Sequence, residues 1–143
     1  MIRNFEITEL KSIMRIWLET NIKAHDFIDE SYWQDKYDLV QAMLPNATIF
    51  VYEEKKQIQG FIGLMGNYIA GIFVEESNQS KGIGKELLNY VKKSNSKLLL
   101  QVYKKNVRAV KFYEREDFVI LKEQIDVNTG EIEFVMKWTK REC

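Results

Sequence analysis

Apolar residues recur along the chain first at helical and then at strand spacing, with the change at Thr48. Leu10, Ile13, Met14 and Trp17 mark one face of a helix reaching to about Lys23, with Thr8 as its N-cap and a short strand over 2–7 before it. A second helix is predicted over 31–44: Asp29 and Ser31 mark its start, Trp33, Tyr37, Val40, Met43 and Leu44 form its stripe, and Pro45 follows. Three runs rich in Ile, Val, Phe and Tyr, at 48–52, 58–65 and 68–74, then predict an antiparallel meander. A polar loop over 75–81 opens a helix at Ile83, with Ile83, Leu87, Leu88 and Val91 on one face. Leu98-Leu99-Leu100, within 97–102, is the uninterrupted apolar run of a strand covered on both faces. A helix over 107–116 follows, and strands at 119–125 and 131–138 flank the turn Asn128-Thr129-Gly130. The order predicts a single domain over 1–143, α/β (mixed α+β), with a mixed sheet of about seven strands and helices on both faces.

Charge narrows the partners. The 143 residues carry 21 basic against 21 acidic side chains, so there is no basic footprint for nucleic acid or for an anionic membrane surface. Cys143, the lone cysteine, forms no internal disulfide and reads as an inert tail, and the lack of any Cys/His ligand spacing predicts no metal. The N-terminal stretch has neither a signal peptide's apolar core nor a membrane span, which reads as cytoplasmic. Six of the seven glycines (Gly60, Gly63, Gly66, Gly71, Gly82 and Gly84) fall between residues 60 and 84, where some need for bare backbone is concentrated.

That need centres on Gln79-Ser80-Lys81-Gly82-Ile83-Gly84-Lys85, where a strand and polar loop open a helix. Such a junction offers unpaired N–H groups and the positive end of a helix dipole, a setting for phosphate, and Lys81 and Lys85 add charge. The nucleotide motifs fail: a Walker loop needs Gly at 79 and Ser or Thr at 86, where Gln79 and Glu86 stand, and a dinucleotide fingerprint needs Gly or Ala where Leu87 stands.

The Gln-x-x-Gly-x-Gly loop is followed by Asn106-Val107-Arg108-Ala109-Val110-Lys111-Phe112-Tyr113, then Asp117-Phe118. With both motifs in this order, the whole chain resembles the GNAT family of acetyl-CoA-dependent N-acetyltransferases. Trp17-Leu18-Glu19, His25, Phe27-Ile28, Tyr32-Trp33 and 67–74 are similar to its small single-domain bacterial branch, which includes lysine acetyltransferases. The resemblance implies a mostly antiparallel GNAT-type sheet and acetyl transfer from acetyl-CoA, without metal, to a primary amine by direct attack in a ternary complex. The acceptor stays open among a protein lysine, a protein N-terminus and a small amine, and the protein is expected as monomer or homodimer. A CoA-binding sensor or interaction module with little turnover is the reading from another class.

The resemblance also assigns residues. Amides of Gln79, Ser80, Lys81, Gly82, Ile83, Gly84 and Lys85 would take the CoA pyrophosphate, and backbone groups of Ile72, Phe73 and Val74 the pantetheine arm. Asn106 would contact the arm or hold the splayed strands, with Ala109 and Phe112 lining the groove. Gly71 would ease the opening of its strand or only make room for a large neighbour. Tyr113 would be the general acid: the departing thiolate, of thiol pKa about 8.5, benefits from a donor whose own pKa is about 10. Tyr68 stands where many members carry a carboxylate base, and is expected to position the amine or a proton-carrying water. His25, Phe27 and Tyr32 would lie at the acceptor wall; His25 is alternatively a structural cap or hydrogen bond. Two positions depart from the family pattern: Asp117 replaces a helix-ending Gly, and Glu76 replaces a Pro after the strand.

Overall fold

A computed structural model describes residues 1–141, so Cys143 lies outside the described residues. The elements run β1 (Ile2–Asn4), α1 (Leu10–Ala24), α2 (Glu30–Met43), β2 (Thr48–Glu54), β3 (Gln57–Met65), β4 (Tyr68–Val74), α3 (Ile83–Lys92), β5 (Lys97–Tyr103), α4 (Val107–Arg115), β6 (Val119–Ile125) and β7 (Ile132–Thr139). They form a seven-stranded sheet of order β1-β2-β3-β4-β5-β7-β6. Every neighbouring pair is antiparallel except β4 and β5.

Helix ends differ from the sequence expectation in one instructive place. The first strand stops at Asn4, and Thr8 caps nothing: a 3-10 turn over Ile7–Glu9 precedes α1. There the Glu9 carboxylate accepts from the Glu6 amide at 2.9 Å and from the Arg3 guanidinium at 3.0 Å, so a charged side chain does the work expected of a threonine. α2 starts as predicted, with the Asp29 carboxylate accepting from the Ser31 amide at 2.9 Å. Asp117 takes φ +72°, the left-handed turn that a Gly would adopt more freely, and it ends α4 all the same.

Two cores lie on opposite sides of the sheet. Ile83, Leu87, Leu88 and Val91 of α3 and Val110 and Tyr113 of α4 pack with Ile62, Ile69, Leu98, Leu100 and Met136 on one face. Ile13, Met14, Trp17 and Trp33 of α1 and α2 pack with Ile49, Val51 and Phe61 on the other. Leu99 departs from the expectation of a strand covered on both faces. It turns to the side where Gln101 is exposed, and is only half-buried. The α1–α2 face of β5 is therefore partly open, and a cleft ends there.

The alternation of β4 breaks in its middle. Ile69 and Ile72 both face the α3–α4 core although they are three residues apart. The register explains it: Gly71 pairs with Gly63 and Ile69 with Leu64, leaving Ala70 as an inserted bulge residue. After the bulge the strand bends, and its pairing with β5 covers only Tyr68 opposite Leu99 and Ile69 opposite Leu100. A Cβ on Gly71 would run into the Phe73 ring, so the bare position makes room for a large neighbour.

Candidate active site

The loop after β4 is held by its own side chains. Gln79 donates through Nε2 to the Val74 carbonyl at 3.0 Å and accepts at Oε1 from Arg108 at 3.0 Å, while Arg108 also donates to Ser80 Oγ at 2.9 Å. Lys23 pairs with Glu76, tying the 3-10 turn that replaces the expected proline to α1. Gly82 at φ +83° turns the chain into α3 and brings no capping side chain. The first amides of α3, those of Ile83, Gly84 and Lys85, therefore face outward uncapped. Arg108 joins Lys85 at this mouth; a cation two residues after the helix-capping asparagine is the sequence signal for it, at a position the motif leaves open.

Where β4 leaves β5 a cleft of about 1330 Å³ opens, lined by Ile72, Phe73, Val74, Ser80, Gly82, Ile83, Gly84 and Lys85 on one side. Asn106, Ala109, Phe112 and Tyr113 line the other. The Glu75 amide donates to the Gln59 carbonyl at 2.9 Å and fixes the phase of β4 against β3. By that phase the peptide groups of Phe73 bond Phe61, and those of Ile72 and Val74 turn toward the parted strand. The Phe73 peptide groups, expected to take the pantetheine arm, are thus engaged by β3, and its ring packs on Phe61 at 4.9 Å. A Cβ added to Gly84 would sit 3.6 Å from Phe112 and 3.9 Å from Ile72, so the bare backbone keeps the groove floor open.

The two tyrosines reach this cleft from opposite faces of the sheet. Tyr113, 8% exposed on α4, belongs to the α3–α4 core. Burial first, and Tyr68 second, push its phenol well above the ordinary tyrosine range, so it is fully protonated at neutral pH. Tyr68 starts β4 on the other face and donates to Gln101 Oε1 at 3.2 Å. Burial and then the Glu133 carboxylate push it up as well. His25 and Tyr68 line the cleft together with Gln101, Tyr103, Asp126 and Glu133. Phe27 and Tyr32 stand behind this wall. Phe27 meets the edges of His25 and Tyr103 at 5.7 and 5.8 Å, and Tyr32 meets Trp33 at 4.9 Å.

His25 is a joint between helices. Its ring is stacked on Trp33 at 5.0 Å, its Nδ1 lies 3.0 Å from the Asn21 carbonyl and its Nε2 3.2 Å from Asn106 Nδ2. Asn106 Oδ1 already accepts from the Ala109 amide at 3.3 Å as the N-cap of α4, so its Nδ2 faces the imidazole. Nδ1–H then donates to the carbonyl, Nε2 accepts, and the neutral ring has both nitrogens in use. Burial lowers its pKa below the ordinary 6.5, the Asn21 carbonyl opposing. Because the unfolded chain takes up this proton more readily, the contribution is intact above 6.5 and is lost as pH falls from there toward the folded value. Urea denaturation at about pH 7.5 and about pH 5.5 is expected to show that loss in the wild type and a flatter profile in His25→Gln.

No group of three His, Cys, Asp or Glu among the described residues is placed to hold a metal ion, and no helix among them is long and apolar enough to cross a membrane.

The family model for the acetyltransferase (GNAT) domain matches residues 22–140. The chain is 37% identical over 140 residues to the peptidyl-lysine N-acetyltransferase YiaC of Escherichia coli K12, covering 96% of each protein. It is 28% identical over 120 residues to the peptidyl-lysine N-acetyltransferase YjaB of the same organism, covering 83% of this chain and 82% of that one. The solution structure of apo YjaB superposes with a TM-score of 0.85 at 25% identity, covering 96% of this chain and 95% of that one. PaiA N-acetyltransferase from Thermoplasma acidophilum, in complex with coenzyme A, shares the fold with a TM-score of 0.75 at 19% identity, covering 98% of both chains.

Proposed function

Because the chain belongs to the GNAT family of acetyltransferases and is an acetyl-CoA-dependent enzyme, we propose that its acceptor is a protein lysine and that the cleft between β4 and β5 is its active site. The observation that carries the reading is that one continuous cleft joins the uncapped N-terminus of α3, the Tyr113 side of the sheet and the open face beyond Tyr68. The naming of the relatives as peptidyl-lysine N-acetyltransferases supports the choice of lysine.

The residues present fit the cosubstrate. Amides of Ile83, Gly84 and Lys85, with Lys81 and Arg108 beside them, suit a pyrophosphate, and the Ile72 and Val74 peptide groups suit an extended amide-bearing arm. Acetyl-CoA supplies, when bound, a thioester carbon open to attack by an amine. Tyr113, protonated at neutral pH, then gives its hydroxyl proton to the departing sulfur. Tyr68, neutral for the same reason, orients the incoming nitrogen from the opposite face. His25 holds α1 against α4 and has no ring nitrogen to spare for proton transfer.

The test is acceptor-dependent release of free thiol from acetyl-CoA with an N-acetylated lysine peptide, a lysine-free peptide with an open N-terminus and a small diamine. The lysine peptide is expected to give a kcat/KM about tenfold or more above the other two. A preference for either of the others moves the acceptor to that class, and binding of acetyl-CoA without any acceptor-dependent thiol favours a sensor.

A further inference from the structure

Glu133 lines the cleft on the face of Tyr68. It is one of the few charged side chains the fold buries, at 9% exposure, and it lies opposite Tyr103 in the β5–β7 register. Gln124 on β6 donates to its Oε2 at 2.6 Å, and no lysine or arginine among the described residues pairs with it. A buried carboxylate without a cation is costly. Asp126, on the same wall, is by contrast satisfied, accepting from the Tyr103 hydroxyl at 2.6 Å and from the Asn128 amide at 2.9 Å.

We infer that Glu133 is the carboxylate that receives the acceptor's ammonium group in the cleft and takes its first proton, with Gln124 fixing the carboxylate's orientation. This rests on the reading of the acceptor as a lysine-like alkylamine. It fills the place left empty at Tyr68, which cannot act as a base at neutral pH. A lysine with pKa about 10.4 is neutral only about once in 2,500 molecules at pH 7. A carboxylate in a half-buried wall helps by favouring the ammonium's arrival and by accepting its proton there. The groups that face Glu133 are Tyr103 from β5, Gln124 from β6, Tyr68 from β4, Tyr32 from α2 and Asp126 from the β6–β7 turn.

The ammonium gives one proton to Glu133, and the freed nitrogen lone pair forms the C–N bond as the C–S bond breaks. Tyr113 protonates the sulfur and regains a proton from the new amide nitrogen, while Glu133 releases its own to solvent. One proton leaves per turnover, as the overall exchange of an ammonium and a thioester for an amide and a thiol requires.

The experiment compares wild type with Glu133→Gln, which keeps the side chain's shape and a partner for Gln124, and with Glu133→Asp. Each is assayed from about pH 6 to about pH 10 on a lysine peptide and on the same peptide carrying thialysine, whose amine is less basic. Glu133→Gln is expected to lower kcat/KM for the lysine peptide about tenfold or more at neutral pH, to lose less on thialysine, and to move the acidic limb to higher pH. Its acetyl-CoA affinity is expected to stay within about twofold of wild type, and Glu133→Asp to restore part of the rate. A wild type that acetylates lysine while Glu133→Gln matches it across the pH range overturns the assignment alone. A wild type that acetylates no alkylamine overturns the acceptor reading and the assignment together. Equal loss on both amines with an unmoved limb overturns the assignment in favour of a structural role.

Discussion

Tyr113→Phe is expected to lower kcat by about tenfold or more while leaving acetyl-CoA affinity within about twofold. The substitution removes one oxygen from a side chain that is 8% exposed, and the ring's contacts stay: Phe112 at 5.3 Å and Phe118 at 5.5 Å pack against it edge-on in either variant. Stability is therefore expected to change by less than about 1 kcal/mol. What disappears is the proton donor proposed for the sulfur. A leaving thiolate without that donor must depart charged into a low-dielectric cleft, and acid catalysis of this kind is worth about a hundredfold to ten-thousandfold in other enzymes. Stopped-flow or steady-state thiol release on a lysine peptide, beside calorimetric titration with acetyl-CoA, separates the two quantities. Unchanged turnover removes Tyr113 from the chemistry.

Gly84→Ala is expected to do the opposite: bind worse and fold as well or better. Its Cβ finds Phe112 at 3.6 Å and Ile72 at 3.9 Å, ordinary contact distances, so the fold accepts it. Alanine is favoured over glycine in a helix by about 1 kcal/mol, so the melting temperature should hold or rise. Yet Ile72, Gly84 and Phe112 all line the cleft, and a methyl between them fills the floor on which the cosubstrate's phosphate end would lie. The expected effect is a rise of about tenfold in the KM for acetyl-CoA, near 1.4 kcal/mol, with kcat at saturation little altered. A variant that is destabilised, or that binds as wild type does, contradicts this role for the glycine.

The division between what was readable in the chain and what was not follows from the range of the interactions. Strand runs, the loop, the α3 stripe and the α4 motif are local patterns, and they appear where the spacing put them. The bulge at Ala70 was hidden because it is a property of two strands: Ile69 and Ile72 look like an ordinary dense apolar run until the Gly63–Gly71 register is seen. That bulge parts β4 from β5. His25 carried the right alternatives, and only the placement of Asn106, 81 residues away, decides which nitrogen donates. Glu133 was invisible for the same reason. In sequence it is one acidic residue in the run Glu131-Ile132-Glu133, and its burial beside Gln124 comes from the pairing of the last two strands.

The proposal requires the parted strands to connect two faces of one sheet, with the cosubstrate on the α3–α4 side and the amine arriving over the face of Tyr68 and Glu133. A crystal structure of the chain with a lysine peptide joined covalently through its amine to CoA tests it most directly. The expected result is the pyrophosphate on the amides of Ile83 to Lys85, the sulfur at the Tyr113 hydroxyl and the lysine stem passing Tyr68 toward Glu133. A conjugate whose peptide lies elsewhere than on that open face, or whose sulfur has no contact with Tyr113, contradicts it.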